Sequence, residues 1–134
     1  MSGLVLNLAP KERILINGAV VENGDRRTRF TIVTKDVKIL RLRDAIHPDD
    51  ANAPVARMCY VLQLVLTGDE AAGTAAPQLR RLLGELDSIF RRHKDRAQLS
   101  RADRAISQGN YYAALKALRR LLPAENELLA AAQA

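Results

Sequence analysis

LINGAVVENGDRRTRF, residues 15–30, contains two Asn-Gly pairs, Asn17-Gly18 and Asn23-Gly24. An Asn-Gly pair is the preferred sequence of a two-residue type I′ hairpin turn, because both central residues of that turn need a positive φ. The first pair joins RILI (13–16) to AVVE (19–22), two short apolar segments typical of strands. We therefore predict a β-hairpin over residues 13–22 and a second turn at Asn23-Gly24-Asp25.

Three further strands are predicted around this hairpin. LVLNL (4–8) alternates, with Leu4, Leu6 and Leu8 on one face. RRTRFTIV (26–33) and VKILRL (37–42) follow on either side of Lys35-Asp36. Residues 1–48 are thus predicted to form an antiparallel region of five short strands, as a single sheet or a barrel-like unit.

Residues 49–134 are predicted to be helical. Pro54 suits the first turn of a helix that Gly68 ends, with Asp49, Asp50 and Asn52 as capping candidates. A second, amphipathic helix is predicted to start after Thr74, followed by a break near KDRAQLS (94–100), a short helix over 101–107 and a last helix over 111–122 that Pro123 ends. The predicted fold class is α+β, with a bundle of three to four helices that packs on the strands or mediates oligomerisation.

The chain is basic. Its 134 residues carry a formal net charge of +6, and residues 1–48 hold nine Lys or Arg against five Asp or Glu, which places +4 of that charge in the first third. Such a balance favours a polyanionic partner such as nucleic acid, although many basic proteins only carry a solvated surface. No apolar run approaches the roughly 20 residues that a membrane helix needs, so we expect a cytoplasmic protein.

Catalysis, metal binding and cofactor binding are not expected. The chain has two histidines, His47 and His93, and one cysteine, Cys59, which no ligand spacing brings together. Cys59 lies in an apolar stretch, which favours a buried packing role over a reactive thiol. No glycine-rich phosphate loop is present, and aromatic residues are too few for a surface that stacks single-stranded bases.

Parity along the fourth strand separates two faces. Phe30 and Ile32 share one face with Thr28, whereas Arg27 and Arg29 point the other way. These two arginines either keep a sheet edge soluble and free of aggregation or form, together with Arg26, a rim that contacts phosphates. The sequence leaves both interpretations open.

Three segments resemble a known family. LVLNLAPKERILINGAVVENGDRRTRF (4–30), NAPVARMCYVLQLVL (52–66) and GNYYAALKALRRLLPAE (109–125) closely resemble the FlbT family of bacterial flagellar regulators. Members are small cytoplasmic proteins that control flagellin production after transcription, are associated with the 5′ leader of flagellin mRNA and mostly act as repressors. The resemblance implies that the basic strands contact RNA.

The five strands also resemble, more weakly, the carbon-storage regulator family, whose members are RNA-binding homodimers of interlocked chains. In that family an arginine after the last strand is a principal RNA contact, and the matching stretch ILRLRDAI (39–46) places Arg43 in this role. The family carries basic residues in the first strand where this chain has Leu8 and Ala9. If the strand exchange is shared, Leu4 and Leu6 pack across the two-fold axis.

The leading hypothesis is a post-transcriptional regulator, not an enzyme, that binds the flagellin mRNA leader as a homodimer, without a membrane or cofactor. Its predicted RNA-binding residues are Arg26, Arg27, Arg29, Lys38, Arg41 and Arg43. The alternative is a flagellar interaction or chaperone-like protein that binds flagellin or another small flagellar regulator through exposed apolar helix faces, of which the last helix, with Tyr112, Leu115 and Leu122, is the candidate.

Overall fold

A computed structural model describes residues 3–34 and 37–133 of the chain. Within these residues, antiparallel strands precede α-helices, and the predicted α+β class is confirmed. The strands are β1 (Leu4–Leu8), β2 (Arg13–Ile16), β3 (Ala19–Glu22), β4 (Thr28–Ile32) and β5 (Ile39–Arg41). The helices are α1 (Pro54–Thr67), α2 (Ala72–Ile89), α3 (His93–Ser107), α4 (Tyr111–Arg119) and α5 (Leu122–Gln133), with 3-10 turns at Leu42–Asp44 and Pro48–Asp50.

The strands form two small sheets and no closed barrel. One sheet pairs β1 with β4, and the other has the order β3-β2-β5. The hairpin between β2 and β3 is confirmed, since Asn17 has a φ of 50° and Gly18 a φ of 84°, as a type I′ turn requires. The second turn does not make a hairpin, because β4 crosses to β1 instead of pairing with β3. The predicted turn at Lys35-Asp36 lies outside the described residues.

One apolar core joins the two halves of the chain. Leu6 and Leu8 from β1, Ile14 from β2 and Ile39 and Leu40 from β5 are each at most 3% exposed and pack with the buried sides of the helices. The α1 helix lies at the centre of this core and is buried on most of its circumference, as its sequence predicts. None of the helices in the described part of the chain is long and apolar enough to cross a membrane.

The first turn of α1 is capped from the far end of the chain. Both carboxylate oxygens of Glu125, which is 6% exposed, accept hydrogen bonds, at 2.7 Å from the backbone N–H of Val55 and 3.2 Å from that of Ala56. Pro54 begins the helix and Gly68, with a φ of 86°, ends it, as predicted. The predicted caps were wrong: Asp49, Asp50 and Asn52 precede the helix, but its N-cap residue is Ala53 and has no capping side chain.

The later helices differ from the prediction in their boundaries. The break predicted near residues 94–100 is wrong, since these residues lie inside α3. The buried side of α3 continues through Asp95, Leu99, Ala102 and Ala105, but these small and polar residues hide the helical periodicity that large apolar residues would show. The α2 helix starts before Thr74 and has Pro77 in its interior. Pro123 lies in the first turn of α5, where a missing N–H costs little. The described residues therefore contain five α-helices, whereas three to four were predicted.

Candidate nucleic-acid interface

Arg26 and Arg27 lie on the bend between β3 and β4. The side-chain amide of Asn23 fixes this bend by donating hydrogen bonds to the carbonyl of Ala9 at 2.8 Å and to that of Arg26 at 2.9 Å. Both arginines are exposed, and neither has an ion-pair partner within 4.0 Å among the described residues. By contrast, Lys11 is 3.0 Å from Asp25 on the same bend.

Arg29 lies in β4, opposite Asn7 of β1. Its neighbours along the strand, Phe30 and Ile32, are half-buried toward the core, whereas Arg29 and Thr31 are exposed. The predicted division of β4 into a core face and a solvent face is therefore confirmed. Arg29 also has no ion-pair partner among the described residues.

Lys38 and Arg41 lie at opposite ends of β5. The backbone N–H of Lys38 donates to the side-chain oxygen of Asn17 at 2.9 Å, so this exposed lysine lies beside the hairpin turn. Arg41 lies three residues further on, about 10 Å away along an extended chain, where β5 pairs with Ile14 of β2. The two cations thus do not share one contact surface.

The guanidinium group of Arg41 is used inside the protein. Its Nε atom is 2.8 Å from Oε2 of Glu12, and the two side chains are 12% and 7% exposed. A further N–H group of Arg41 donates to the carbonyl of Asn7, which ties β5 to β1. The carboxylate of Glu12 also accepts a hydrogen bond from the backbone N–H of Ala9 at 2.9 Å. The prediction of Arg41 as an exposed phosphate contact does not fit this arrangement.

Burial disfavours the ionised form of Glu12, but the Ala9 N–H and the Arg41 guanidinium outweigh that effect and lower the pKa of Glu12 below its ordinary value. The same pair raises the pKa of Arg41, against the opposing effect of its burial. Both groups are therefore charged at neutral pH, and the link from this pair to the other sheet is the hydrogen bond from Arg41 to the carbonyl of Asn7 in β1.

Arg43 lies in the 3-10 turn that follows β5. Its side chain is 58% exposed, with Nε 3.6 Å from Glu12 Oε2 and 4.0 Å from Asp44 Oδ1. These separations are long for hydrogen bonds, so the guanidinium keeps most of its donors free. Arg43 faces a cleft that no pattern in the sequence indicates.

This cleft, which we call the basic cleft, lies between the 3-10 turn after β5 and the exposed side of α4. It encloses about 270 Å³. Its lining residues are Arg41, Arg43, Asp44, Tyr112, Lys116, Arg119 and Arg120.

Two of the five cations in the basic cleft are neutralised locally. Glu12 pairs with Arg41, and Asp44 is 3.4 Å from Nε of Arg119, which also donates to the Asp44 carbonyl at 3.1 Å. Five cations less two carboxylates leave a net charge of three, and the cations farthest from a carboxylate are Arg43, whose nearest carboxylate oxygen is 3.6 Å away, Lys116 of α4 and Arg120, which follows α4. Half of the net charge of +6 on the whole chain is therefore concentrated around one small opening.

Tyr112 lies in the wall of the cleft beneath Lys116. The residue is 6% exposed, and the Lys116 ammonium group is 5.7 Å from the centre of its ring, within cation–π range. Burial raises the pKa of Tyr112, although the positive charge of Arg41 acts in the opposite direction, so the phenol is neutral at neutral pH. The ring is too covered to stack on a base.

Cys59, the single cysteine of the sequence, is buried. It is 1% exposed, and burial raises its pKa to about 12, which confirms the predicted packing role and leaves no thiolate at neutral pH. The described residues contain no group of three His, Cys, Asp or Glu side chains that could hold a metal ion. The cations of the basic cleft favour binding of an anion.

Arg43 was among the predicted RNA-binding residues, but Lys116 and Arg120 were missed because they lie in the other half of the sequence. The signal that could have indicated them is the spacing of Lys116, Arg119 and Arg120, which puts basic side chains on neighbouring positions of one helix face. No local sequence pattern indicates that this face of α4 lies against the end of β5.

The fold and the cleft define a small α+β protein with a cationic surface. The sequence model of the family described as "Flagellar protein FlbT" matches residues 4–129. The chain belongs to that family, and the resemblance predicted from its three segments is confirmed.

Several curated relatives align over nearly the whole chain. A protein of Chelativorans sp. (strain BNC1) is 35% identical and the alignment covers 94% of this chain and 86% of the relative. Proteins of Allorhizobium ampelinum and Mesorhizobium japonicum are 33% and 32% identical, over 96% and 94% of this chain and 85% and 84% of theirs. Each is named a probable flagellum biosynthesis repressor protein FlbT. No solved structure shows significant similarity to the chain.

Proposed function

We propose that this protein is a cytoplasmic post-transcriptional regulator that represses flagellin synthesis by binding the 5′ leader of flagellin mRNA, without a catalytic step. Family membership and the repressor names of its relatives support a role in flagellar regulation. The observation that supports RNA as the ligand is the unpaired state of Arg26, Arg27 and Arg29 among the described residues, since uncompensated cations on one exposed region favour a polyanion.

The binding experiment is a titration of flagellin leader RNA at several salt concentrations. If the five predicted cations other than Arg41 each neutralise a phosphate, the log–log dependence of affinity on salt has a slope of roughly −3.5, at about −0.7 per contact on single strands. A slope near zero contradicts the proposal.

The variant that tests the strand residues is Arg27→Ala with Arg29→Ala. We expect weaker binding of leader RNA and a slope smaller in magnitude by about 1.4, with an unchanged melting temperature, because both side chains are exposed. Arg80→Ala with Arg81→Ala removes the same charge from the exposed side of α2 and serves as the control. Equal losses in the two double variants indicate a general charge effect and not a site.

Self-association through β3 is part of the proposal. All four residues of β3 are exposed, Val20 at 61%, and its outer edge pairs with no described strand. Such an edge can accept the same edge of a second copy around a two-fold axis. Val20→Lys should convert a dimer to a monomer in sedimentation equilibrium, and a wild-type protein that is monomeric at all concentrations contradicts it.

The burial of Leu6 does not favour the strand-exchanged dimer, in which Leu4 and Leu6 were expected to pack across a two-fold axis. Leu6 is 3% exposed and already packs within its own chain, whereas Leu4 is 37% exposed. Pairing of Leu6 across a two-fold axis would require the core to open. The weaker resemblance to the carbon-storage regulators stays a prediction.

The alternative function, a protein-binding factor, was suggested by an apolar face of the last predicted helix, and most of that face is buried. Tyr112 and Leu115 are buried in the core, and the exposed apolar residues of α5 are instead Leu128 and Leu129. Purification from cells after RNase treatment separates the two functions. A flagellar protein that stays bound without RNA, and is released by polar substitutions at Leu128 and Leu129, would favour the alternative.

A further inference from the structure

Three cations of the basic cleft that lack a close carboxylate partner come from both halves of the fold. Arg43 belongs to the turn after β5, Lys116 to α4, and Arg120 is the residue that follows α4. Two internal contacts hold these segments in place: Arg41 donates to the Asn7 carbonyl and connects β5 to β1, and Arg119 pairs with Asp44 and connects α4 to the 3-10 turn. The cleft is therefore a prearranged site and needs no folding step before it binds a ligand.

A simpler explanation accounts for only part of this arrangement. Cations in the last turn of a helix interact favourably with the helix dipole, and Lys116 and Arg119 occupy the last turn of α4. That explanation does not account for Arg43, which comes from another element. Carboxylate oxygens of Glu12 and Asp44 lie 3.6 and 4.0 Å from its Nε atom. The five cations of the cleft still outnumber these two carboxylates, and a bound anion offsets the remaining repulsion between like charges.

The dimensions and groups of the cleft select the ligand. A volume of about 270 Å³ is at the lower limit of pockets for drug-sized ligands, so the cleft suits a phosphate group with its adjacent sugar better than a cofactor. Guanidinium groups match phosphate oxygens through paired N–H donors. Since Tyr112 is covered, no aromatic face is presented to a base.

The cleft also lies close to the predicted strand contacts. Arg41 in its wall donates to the carbonyl of Asn7, and Asn7 is the residue of β1 that faces Arg29 across the β1–β4 pair. Neighbouring strands are about 5 Å apart. A phosphate chain that passes Arg29 can therefore reach Arg43 over a short distance.

We propose that the basic cleft binds a backbone phosphate of single-stranded RNA through Arg43, Lys116 and Arg120, and that it supplies affinity without reading sequence. The identity of the RNA rests on the function proposed above, whereas the phosphate site itself does not. The cleft thus extends the contact surface from the strands onto α4.

The test uses Lys116→Gln with Arg120→Gln, matched against Arg80→Gln with Arg81→Gln, so that each double variant has a net charge of +4. The probes are a labelled oligoribonucleotide from the flagellin leader, the same oligonucleotide with scrambled sequence, and inorganic tripolyphosphate. We expect the cleft variant to lose about fivefold in affinity for both oligonucleotides at 0.1 M salt, because the loss of one phosphate contact lowers the affinity by about 0.7 logarithmic units for each decade of salt below 1 M. The control should change less than about threefold, and thermal melting checks the fold of both variants.

The outcomes distinguish the two proposals. If wild-type protein binds the leader and the cleft variant binds it as well as the control does, the cleft proposal is overturned and the proposed function survives. If wild-type protein shows no binding of the leader but binds tripolyphosphate, and only the cleft variant loses that binding, the phosphate site stands and the RNA function fails. A loss restricted to the leader sequence overturns the claim that the cleft does not read sequence.

Discussion

The strand half and the helical half of this protein use their residues in opposite ways. Helices α1, α2 and α4 each bury a broad apolar side, so that most large side chains there are covered. The strands β1 and β2 bury one row of residues each, β3 buries none, and only the short β5 buries residues on both faces, Ile39 and Leu40. Specific polar contacts help to hold the strand half in place. The main ones join Glu12 to Arg41 and the Asn23 amide to three backbone carbonyls.

The two halves therefore contribute differently: the helices supply most of the stability, and the strands supply exposed surface. Apolar burial in the helices supplies most of the free energy of folding, because that free energy scales with the apolar area removed from water. The strands are left with exposed faces and an open edge, which are the features that a binding surface needs. The basic cleft forms where the two halves meet.

The largest effect is expected in the helical core. Leu118→Ala, at a residue that is 0% exposed in α4, should lower the free energy of unfolding by about 4 kcal/mol, because it removes apolar contacts and leaves a cavity. Leu128→Ala, in the exposed part of α5, should change it by less than about 0.5 kcal/mol. Urea denaturation measures both, and similar losses would break the distinction between covered and exposed helix faces.

A smaller effect is expected at the polar connection of the strand half. Glu12→Gln leaves the Arg41 guanidinium without its carboxylate and should lower the free energy of unfolding by about 2 kcal/mol. Glu22→Gln is the matched control, because Glu22 pairs with Arg13 on the exposed face of the hairpin, and its effect should be clearly smaller. A null result for Glu12→Gln would mean that the helices alone hold the strands.

The pH dependence of stability sharpens the same comparison. Since the pKa of Glu12 is lowered in the folded protein, its contribution is fully present above its unfolded value of 4.5 and is lost as the pH falls through the folded value. The difference in unfolding free energy between wild type and Glu12→Gln should therefore shrink as the pH falls below 4.5. Urea titrations between pH 3 and pH 7 measure this difference, and one that grows in acid contradicts the assignment.

The smallest effects are expected at two glycines, where substitution by alanine should change the stability in opposite directions. Gly18→Ala places a side chain at a φ of 84° and should destabilise the hairpin by about 1 kcal/mol, although nothing lies within 4 Å of the added carbon. Gly84→Ala, in α2 with equally open space, should stabilise by up to about 1 kcal/mol through helix propensity. Thermal melts that shift in the same direction for both variants would contradict this reading of the backbone.

Local signals predicted the elements well. The Asn17-Gly18 turn, the start of α1 at Pro54 and its end at Gly68 each depend on the backbone preference of one or two residues, and all three are confirmed. Asn110, which directly precedes α4, caps that helix by accepting a hydrogen bond from the Ala113 N–H at 3.1 Å. Such preferences act over a few residues, so a sequence reveals them without its fold.

Long-range polar contacts were not predictable in the same way. Glu125 caps α1 from 70 residues away, and the Gln63 amide bonds both the N–H and the carbonyl of Ile46, at 2.7 and 3.1 Å. Nothing adjacent in sequence marks Glu125 or Gln63 as buried and partnered. The same limit applies to Arg41, which looks like any exposed strand arginine until Glu12 is placed beside it.

By itself, the sequence determined the class of fold, the turn that organises the strands, the excess of positive charge and the family. The tertiary structure alone decided which cations are available, because a guanidinium pairs with a carboxylate that lies near it in space, and that carboxylate can be distant in the chain. For that reason Arg41 is held by Glu12 while Arg43, Lys116 and Arg120 converge on one cleft.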